Sequence, residues 1–254
     1  MELTAEQIQS QWDKFIGYIN EYISPDRAEK LISFYEQHKE EIMLMPASHK
    51  KAYHNCFPGG YIDHVNRVVE CALKLTSVWS DMGVDKDTFT LEEIVFSAIN
   101  HDLGKMGDGV EYAHVPSTDQ WRKKNLGEMY TFNTKISYMS VPDRSIYLLT
   151  SNNIGVSPNE WLGIKLHDGL YDSANEPYYK TYLPETKPRT SLPFIIHHAD
   201  MMATRIEFER EWLPKFNIEN SPSISESTKK KTSARKKALS SVSSPGLKNM
   251  LDNL

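Results

Sequence analysis

The residues in this sequence best suited to chemistry are two histidines and two aspartates. His64 ends the run Gly59-Gly60-Tyr61-Ile62-Asp63-His64, near the start of a helical pattern and on its apolar stripe. His101 and Asp102 close a second helical pattern, and Asp200 sits inside a third, in Ile195-Ile196-His197-His198-Ala199-Asp200-Met201. Singly, each has an ordinary structural account. A lone histidine on an apolar stripe is more often a hydrogen-bonded core residue, a His-Asp dipeptide is common, and an aspartate inside a helix can face water. Taken together they differ, because a buried carboxylate is costly unless it is paired or holds a metal. Two imidazoles and two carboxylates on helices that face one core form a mixed nitrogen and oxygen donor set. Such a set suits a divalent first-row metal or magnesium better than a thiolate-type structural zinc site.

The elements that must position these residues are helical. Ile8, Trp12, Phe15, Ile16 and Ile19 recur at helical spacing between Thr4 and Tyr22. Ser24-Pro25 reads as an N-cap followed by proline at the first helical position, opening a second helix with Ala28, Leu31, Ile32 and Tyr35 on its stripe. Phe57-Pro58-Gly59-Gly60 is a turn signal, after which His64, Val68, Ala72 and Leu75 share a stripe. Thr90-Leu91-Glu92-Glu93 matches the capping box and starts the helix that ends at His101-Asp102-Leu103-Gly104. Residues 105–135 are polar and irregular. Helical patterns return at about 142–153 and 158–167, residues 169–191 read as a long Tyr- and Pro-rich loop, and a last strong helix runs from about Leu192 to Trp212. No segment alternates as a strand would, so the expected fold is all-α. It is a single helical domain over 1–217, with two N-terminal helices (1–46) ahead of a core at 50–212.

Composition sets the outer limits. Cys56 and Cys71 are the only cysteines, too few for a disulfide framework. There is no apolar run of the ~18 residues a membrane span needs, and no basic-then-apolar leader at the N-terminus. A cytoplasmic protein with no membrane partner is the expectation. The net charge of −5 divides unevenly: residues 218–254 hold seven basic and three acidic residues, leaving −9 for the body. An acidic body argues against a broad nucleic-acid surface on the fold, although a bound divalent cation reverses the local field for a phosphate. Residues 218–254 read as a disordered basic tail. It ends in Leu247, Met250, Leu251 and Leu254 on one helical face, which suggests a short motif that docks on a partner protein.

The order of these motifs resembles that of the HD-domain metal-dependent phosphohydrolases. His54-Asn55-Cys56-Phe57-Pro58-Gly59-Gly60-Tyr61-Ile62-Asp63-His64 is similar to the motif in which a glycine pair introduces the first ligand histidine. Ala98-Ile99-Asn100-His101-Asp102-Leu103-Gly104-Lys105 resembles the second motif, Leu166-His167-Asp168-Gly169 the third and Ile196-His197-His198-Ala199-Asp200 the last. The likeness covers roughly residues 50–210. It points to a subgroup that includes bacterial 3′–5′ exoribonucleases of the HD type and related phage proteins. It implies His64, His101, Asp102 and Asp200 as metal ligands, with Asp102 able to bridge to a second metal. Lys105 then contacts a phosphate oxygen or developing charge. His167 is a second-metal ligand or a general acid, and His54 meets the substrate phosphate. His197 and His198 cannot share a helix face, so at most one serves the site.

The sequence departs from the family pattern in three places. Residues 136–144 hold no histidine where two-metal relatives carry one, and His114 is the only histidine between the second and third motifs. The third motif reads His-Asp where relatives often have His-His. The β-barrel that precedes the domain in the exoribonucleases has no counterpart, since residues 1–50 read as helices. The expected centre is therefore one tight divalent metal (Mn, Mg, Co or Fe), with a second site weak or absent. The implied activity is hydrolysis of a nucleotide or other small phosphate ester by metal-activated water, with Lys105 and Arg144 neutralising charge and His167 protonating the leaving oxygen. Tyr171, Tyr178, Tyr179 and Tyr182 are candidates to stack a base. The rivals are a 3′–5′ nuclease that uses the basic tail for phosphate affinity and a non-catalytic metal-binding adaptor.

Overall fold

A computed structural model describes residues 3–51 and 53–211 of the chain. The tail and its C-terminal amphipathic segment lie outside the described residues. Helix α1 (Ala5–Tyr22) is opened by a complete capping box: Thr4 accepts from the Gln7 amide, and the Gln7 side chain accepts from the Thr4 amide. Its buried face is Ile8, Trp12, Phe15 and Ile19, the predicted stripe without the half-buried Ile16. Pro25 starts α2 (Pro25–Gln37). Ser24 occupies the N-cap position, but its hydroxyl donates to Glu92 Oε1 (2.9 Å) and caps nothing. A short α3 (Lys39–Leu44), which the sequence pattern does not signal, follows after His38 and buries Ile42.

Helix α4 (Gly60–Asp81) carries His64 and is buried on almost every side over its first half. Gly60 is obligatory there, because the Asn55 carbonyl oxygen lies 2.1 Å from where a Cβ would stand. Helix α5 (Leu91–Asn100) has the predicted Thr90/Glu93 box, and every residue from Ile94 to Asn100 is buried. A helix apolar all round belongs in the middle of a fold, and α4 packs against α5 at the centre of this one. The N-terminal helices are part of the same core: α1 packs on both α4 and α5. The Tyr35 hydroxyl of α2 donates to Asn100 Oδ1 (2.8 Å), bracing the end of α5 one residue before His101.

Between Lys105 and Lys135, which read as irregular, the chain forms strands β1 (His114–Pro116) and β2 (Tyr130–Phe132), an antiparallel pair around α6 (Gln120–Leu126). Strands of three residues are too short for alternation to be legible. Next come α7 (Val141–Ser151) and α8 (Pro158–Lys165). Then follow 3₁₀ turns with a one-turn α9 (Glu176–Tyr179) in the stretch that read as a loop, and finally α10 (Leu192–Glu211), which lies along α4 and α8. Arg27 ties α2 to α8: its guanidinium makes two bonds to the Glu160 carboxylate (2.7 and 2.5 Å) and lies 3.6 Å over the Phe96 ring. The fold is all-α with one small hairpin, and no helix of the described residues is long and apolar enough to cross a membrane.

The turn that carries the His-Asp motif is docked tightly on α7. Gly104 N donates to Ser145 Oγ (2.8 Å), and a Cβ on Gly104 would stand 2.1 Å from the Val141 carbonyl oxygen. Both neighbours are held by α7, so Gly104→Ala must push the turn away from the helix. Overpacking of this kind costs about 1–3 kcal/mol. The substitution is expected to lower the urea midpoint accordingly, as followed by circular dichroism.

Candidate metal centre

Four elements converge on one cluster: His64 from α4, His101 and Asp102 from the end of α5, His167 from the turn after α8, and Asp200 from α10. In each histidine the Nδ1 atom faces a group that can only accept. His64 Nδ1 donates to the Glu207 carboxylate (3.1 Å), His101 Nδ1 to the Ala98 carbonyl (2.8 Å) and His167 Nδ1 to the Ile164 carbonyl (2.8 Å). The proton of each neutral ring is thereby fixed on Nδ1, and the Nε2 lone pair is left bare. Those Nε2 atoms point at carboxylates. His64 Nε2 lies 3.2 Å from Asp200 Oδ1 and 3.8 Å from Asp102 Oδ2; His101 Nε2 lies 3.4 Å from Asp102 Oδ2; His167 Nε2 lies 3.6 Å from Asp102 Oδ1. The Nε2 atoms of His64 and His101 are buried with no hydrogen-bond partner.

Bare lone pairs facing carboxylates repel unless a positive charge lies between them. The arrangement therefore requires protons or a cation, and the ligand atoms fall into compact sets suited to the latter. His64, His101 and Asp200 form one such set, and His101, Asp102 and His167 another, with the atoms of each within 4.8 Å of one another. His167, Asp168 and Asp200 form a third on the same scale. These buried groups can hold a metal ion. Of the four ligands expected from the sequence, all are brought together, and His167 and Asp168 join them.

The electrostatics show how strongly the cluster attracts positive charge. Burial alone would lower the basicity of His64, but Glu207 and Asp200 overcome it and hold the ring at about 10. His167 behaves likewise: burial is outweighed by Asp168, Asp102 and Asp200, which hold it at about 9. Burial would raise both aspartates, yet Asp102 is held well below the usual carboxylate range by Lys105, His101 and His167, and Asp200 by the three histidines. Lys105 Nζ sits against Asp102 Oδ2 and bears the single lysine charge at the cluster.

Behind His64 lies a support that sequence reasoning missed. Glu207 is 1% exposed and is bonded by both His64 and Arg67, whose Nη1 is 2.7 Å from Glu207 Oε1. Arg67 also holds Asp63 (2.8 Å), which accepts from Asn55 (2.9 Å) and Gln11 (3.1 Å). In sequence, Glu207 looks like one more charge in the solvated end Arg205-Ile206-Glu207-Phe208-Glu209-Arg210. The usable signal was its spacing of seven from Asp200, which puts both acids on one face of α10.

The other predicted residues divide. His54 packs its ring on that of His64 (centroids 4.6 Å apart), and its Nε2 is buried and unpartnered; burial, with His64 and Lys105, pushes it down to about 3. Arg144, expected at the substrate, is turned elsewhere. It is 3% exposed, and its guanidinium donates to the carbonyls of Gly104 (3.1 Å) and Ser137 (3.2 Å), which occupy its donors away from the cluster. His197 donates to the His167 carbonyl (2.7 Å) and so steadies that turn, while His198 lies on the outer side against Trp79. Among the tyrosines proposed to stack a base, Tyr179 donates to the Leu166 carbonyl (3.0 Å) and Tyr182 is 98% exposed.

Two cavities, of about 490 and 420 Å³, open over the cluster and share His54, Thr204 and Phe208 as lining. Another of about 520 Å³ on α2 is lined by residues such as Asp26, Lys30 and Phe34, with no histidine and no converging donor set. No protein-family model matches the chain, and searches of curated proteins and of solved structures find no match either.

Two measurements test the centre. Histidines whose folded pKa lies above the unfolded value near ~6.5 stabilise the metal-free protein below that value, and the contribution is lost as pH rises through about 9 to 10. The same protons compete with a cation. The rise in melting temperature produced by Mn²⁺ is therefore expected to grow as pH increases across this window, and a shift that shrinks would contradict the assignment. Removing the support of His64 by Glu207→Ala is expected to weaken metal affinity by about 10- to 100-fold, read by competition with a fluorescent chelator.

Proposed function

We propose that this chain is a metal-dependent phosphohydrolase of the HD type, acting on a nucleotide or another small phosphate ester. The observation that carries the reading is the convergence of bare imidazole nitrogens on a buried carboxylate, Asp102, and a partly buried one, Asp200, beside one lysine and beneath open cavities. His64, His101, Asp102 and Asp200 are the residues to hold the cation, and a nitrogen and oxygen set without thiolate favours Mn, Mg, Co or Fe. His167 and Asp168 supply donors for a second cation, which makes a two-metal centre a better expectation than the sequence pattern alone suggested. A divalent cation in this set supplies Lewis acidity, acidifying water and withdrawing charge from a phosphoryl oxygen.

The remaining work falls to the chain. Lys105, fixed by Asp102, presents its charge to a non-bridging phosphate oxygen, where charge grows during attack. Its three rotatable donors let one serve Asp102 while another serves the substrate. Without a cation, Asp168, Asp102 and Asp200 outweigh burial and raise the basicity of His167 above that of a free imidazole; a protonated Nε2 is the state a general acid needs to protonate a leaving oxygen. As a ligand the same atom must be bare, so the two roles exclude one another at any one time. Half-buried His54 offers an uncharged ring nitrogen, its Nε2, at the mouth of the cluster. The cavities on either side also suit a phosphodiester with one substituent in each, the geometry a nuclease trimming chain ends would use.

The purified chain, loaded in turn with Mn²⁺, Mg²⁺ and Co²⁺, is expected to release phosphate or a phosphomonoester from a nucleotide panel. His101→Ala and Asp102→Ala are expected to lower turnover by more than about 100-fold and to reduce bound metal, with far-UV circular dichroism retained. Full turnover in the metal-free double variant would refute the proposal.

A further inference from the structure

The hairpin formed by β1 and β2 is fastened to the loop ahead of α4. The His49 carbonyl accepts from the amides of Met129 (3.1 Å) and Tyr130 (3.2 Å), Lys51 N donates to the Gly127 carbonyl (2.9 Å), and Lys50 pairs with Glu128 (3.0 Å). These bonds set the rings of His49 and His114 parallel, with planes 8° apart and centroids 5.9 Å apart. Tyr53 stands edge-on to His49 at 5.4 Å, and Phe132 edge-on to His114 at 6.4 Å. His49, Tyr53 and His114 of this ring group bound the cavity of about 490 Å³, with Thr204 and Phe208 of α10 also lining it and Lys105 marking the end where the cluster begins. No step of the phosphate chemistry uses His49 or His114.

The chemistry of the wall narrows what it can hold. Among the described residues lining the cavity there is no carboxylate, and the one lysine is engaged by Asp102. Burial, with Lys105 and His49 nearby, pushes His114 down to about 4, and burial lowers His49 as well, so both rings are neutral at physiological pH. A second phosphate finds no free cation here. An aliphatic chain leaves the imidazole nitrogens without partners, which costs free energy. A flat heterocycle meets both demands: its face packs on the rings, worth roughly 1–3 kcal/mol for a base, and its edge exchanges hydrogen bonds with ring nitrogens. The volume lies within the ordinary range for small-ligand sites.

We propose that this cavity is the subsite for the nucleobase of a nucleotide whose phosphate lies on Lys105 and the His/Asp cluster, with His49 and His114 as the residues that read the base. The assignment rests on the phosphohydrolase reading for the phosphate end and places the base away from the tyrosines of residues 169–191.

The test uses the Mn²⁺-loaded full chain with three probes: the ribonucleoside 5′-monophosphates, ribose 5-phosphate, and the free ribonucleosides. The kcat/KM for at least one nucleotide is expected to exceed that for ribose 5-phosphate by about tenfold or more, mainly through KM. His114→Ala is expected to narrow that ratio to less than about threefold. With diamagnetic Mg²⁺ in place of Mn²⁺, free nucleosides are expected to shift the ring-proton resonances of His49 and His114. His49→Ala serves as the second variant where loss of His114 lowers the melting temperature. Equal kcat/KM for base-bearing and baseless esters, or a preference retained in both folded variants, would overturn the subsite and leave the hydrolase standing. Absence of any turnover together with nucleoside-induced shifts would sink the hydrolase and keep the base pocket. Absence of both would sink the two together.

Discussion

Asp102 and Asp200 are carboxylates enclosed by helices, and the rest of the site follows from what must neutralise them. Asp102 is 4% exposed and touches Lys105, His101, His64 and His167 within 4 Å. A carboxylate so enclosed needs positive charge at close range. Yet the histidines around it turn their protons outward, to Glu207 and to the carbonyls of Ala98 and Ile164. The lone pairs that remain cannot satisfy the aspartates. A cation between them resolves the conflict, and its absence leaves protons to do so.

That constraint accounts for the stiffness of the surroundings. Each clustered side chain sits on a helix or just beyond the end of one whose position is fixed elsewhere. Tyr35 braces Asn100, Ser145 holds Gly104, His197 holds the His167 carbonyl, and Arg67 holds Glu207. These are contacts between different helices, so the N-terminal pair α1 and α2 contributes to the geometry of a centre whose ligands it does not supply. Second-layer bonds of this kind fix ring orientation and tautomer, and with them the direction of each lone pair.

Above the centre the two cavities differ in character. The one bounded by His49 and His114 is walled by neutral rings, whereas the other is lined by Asp168, Asp200 and Arg205 alongside Tyr171 and His197. A molecule placed over the cluster would therefore meet unlike environments on its two sides.

The sequence by itself determined the long helices, because their apolar stripes, the Thr90/Glu93 box and Pro25 are local signals that need no partner. It also determined His64, His101, Asp102 and Asp200 as a set, since each falls at a recognisable motif on or at the end of such a helix. What only tertiary structure decided are the residues whose meaning depends on a partner far along the chain. Glu207 becomes the support of His64 across 143 residues, Arg144 is drawn to turn carbonyls rather than to the cluster, and His49 and His114 become parallel only through a hairpin too short to announce itself. Periodicity reports which face of an element is buried. It carries no information on which buried groups meet, because that is set by how the helices pack.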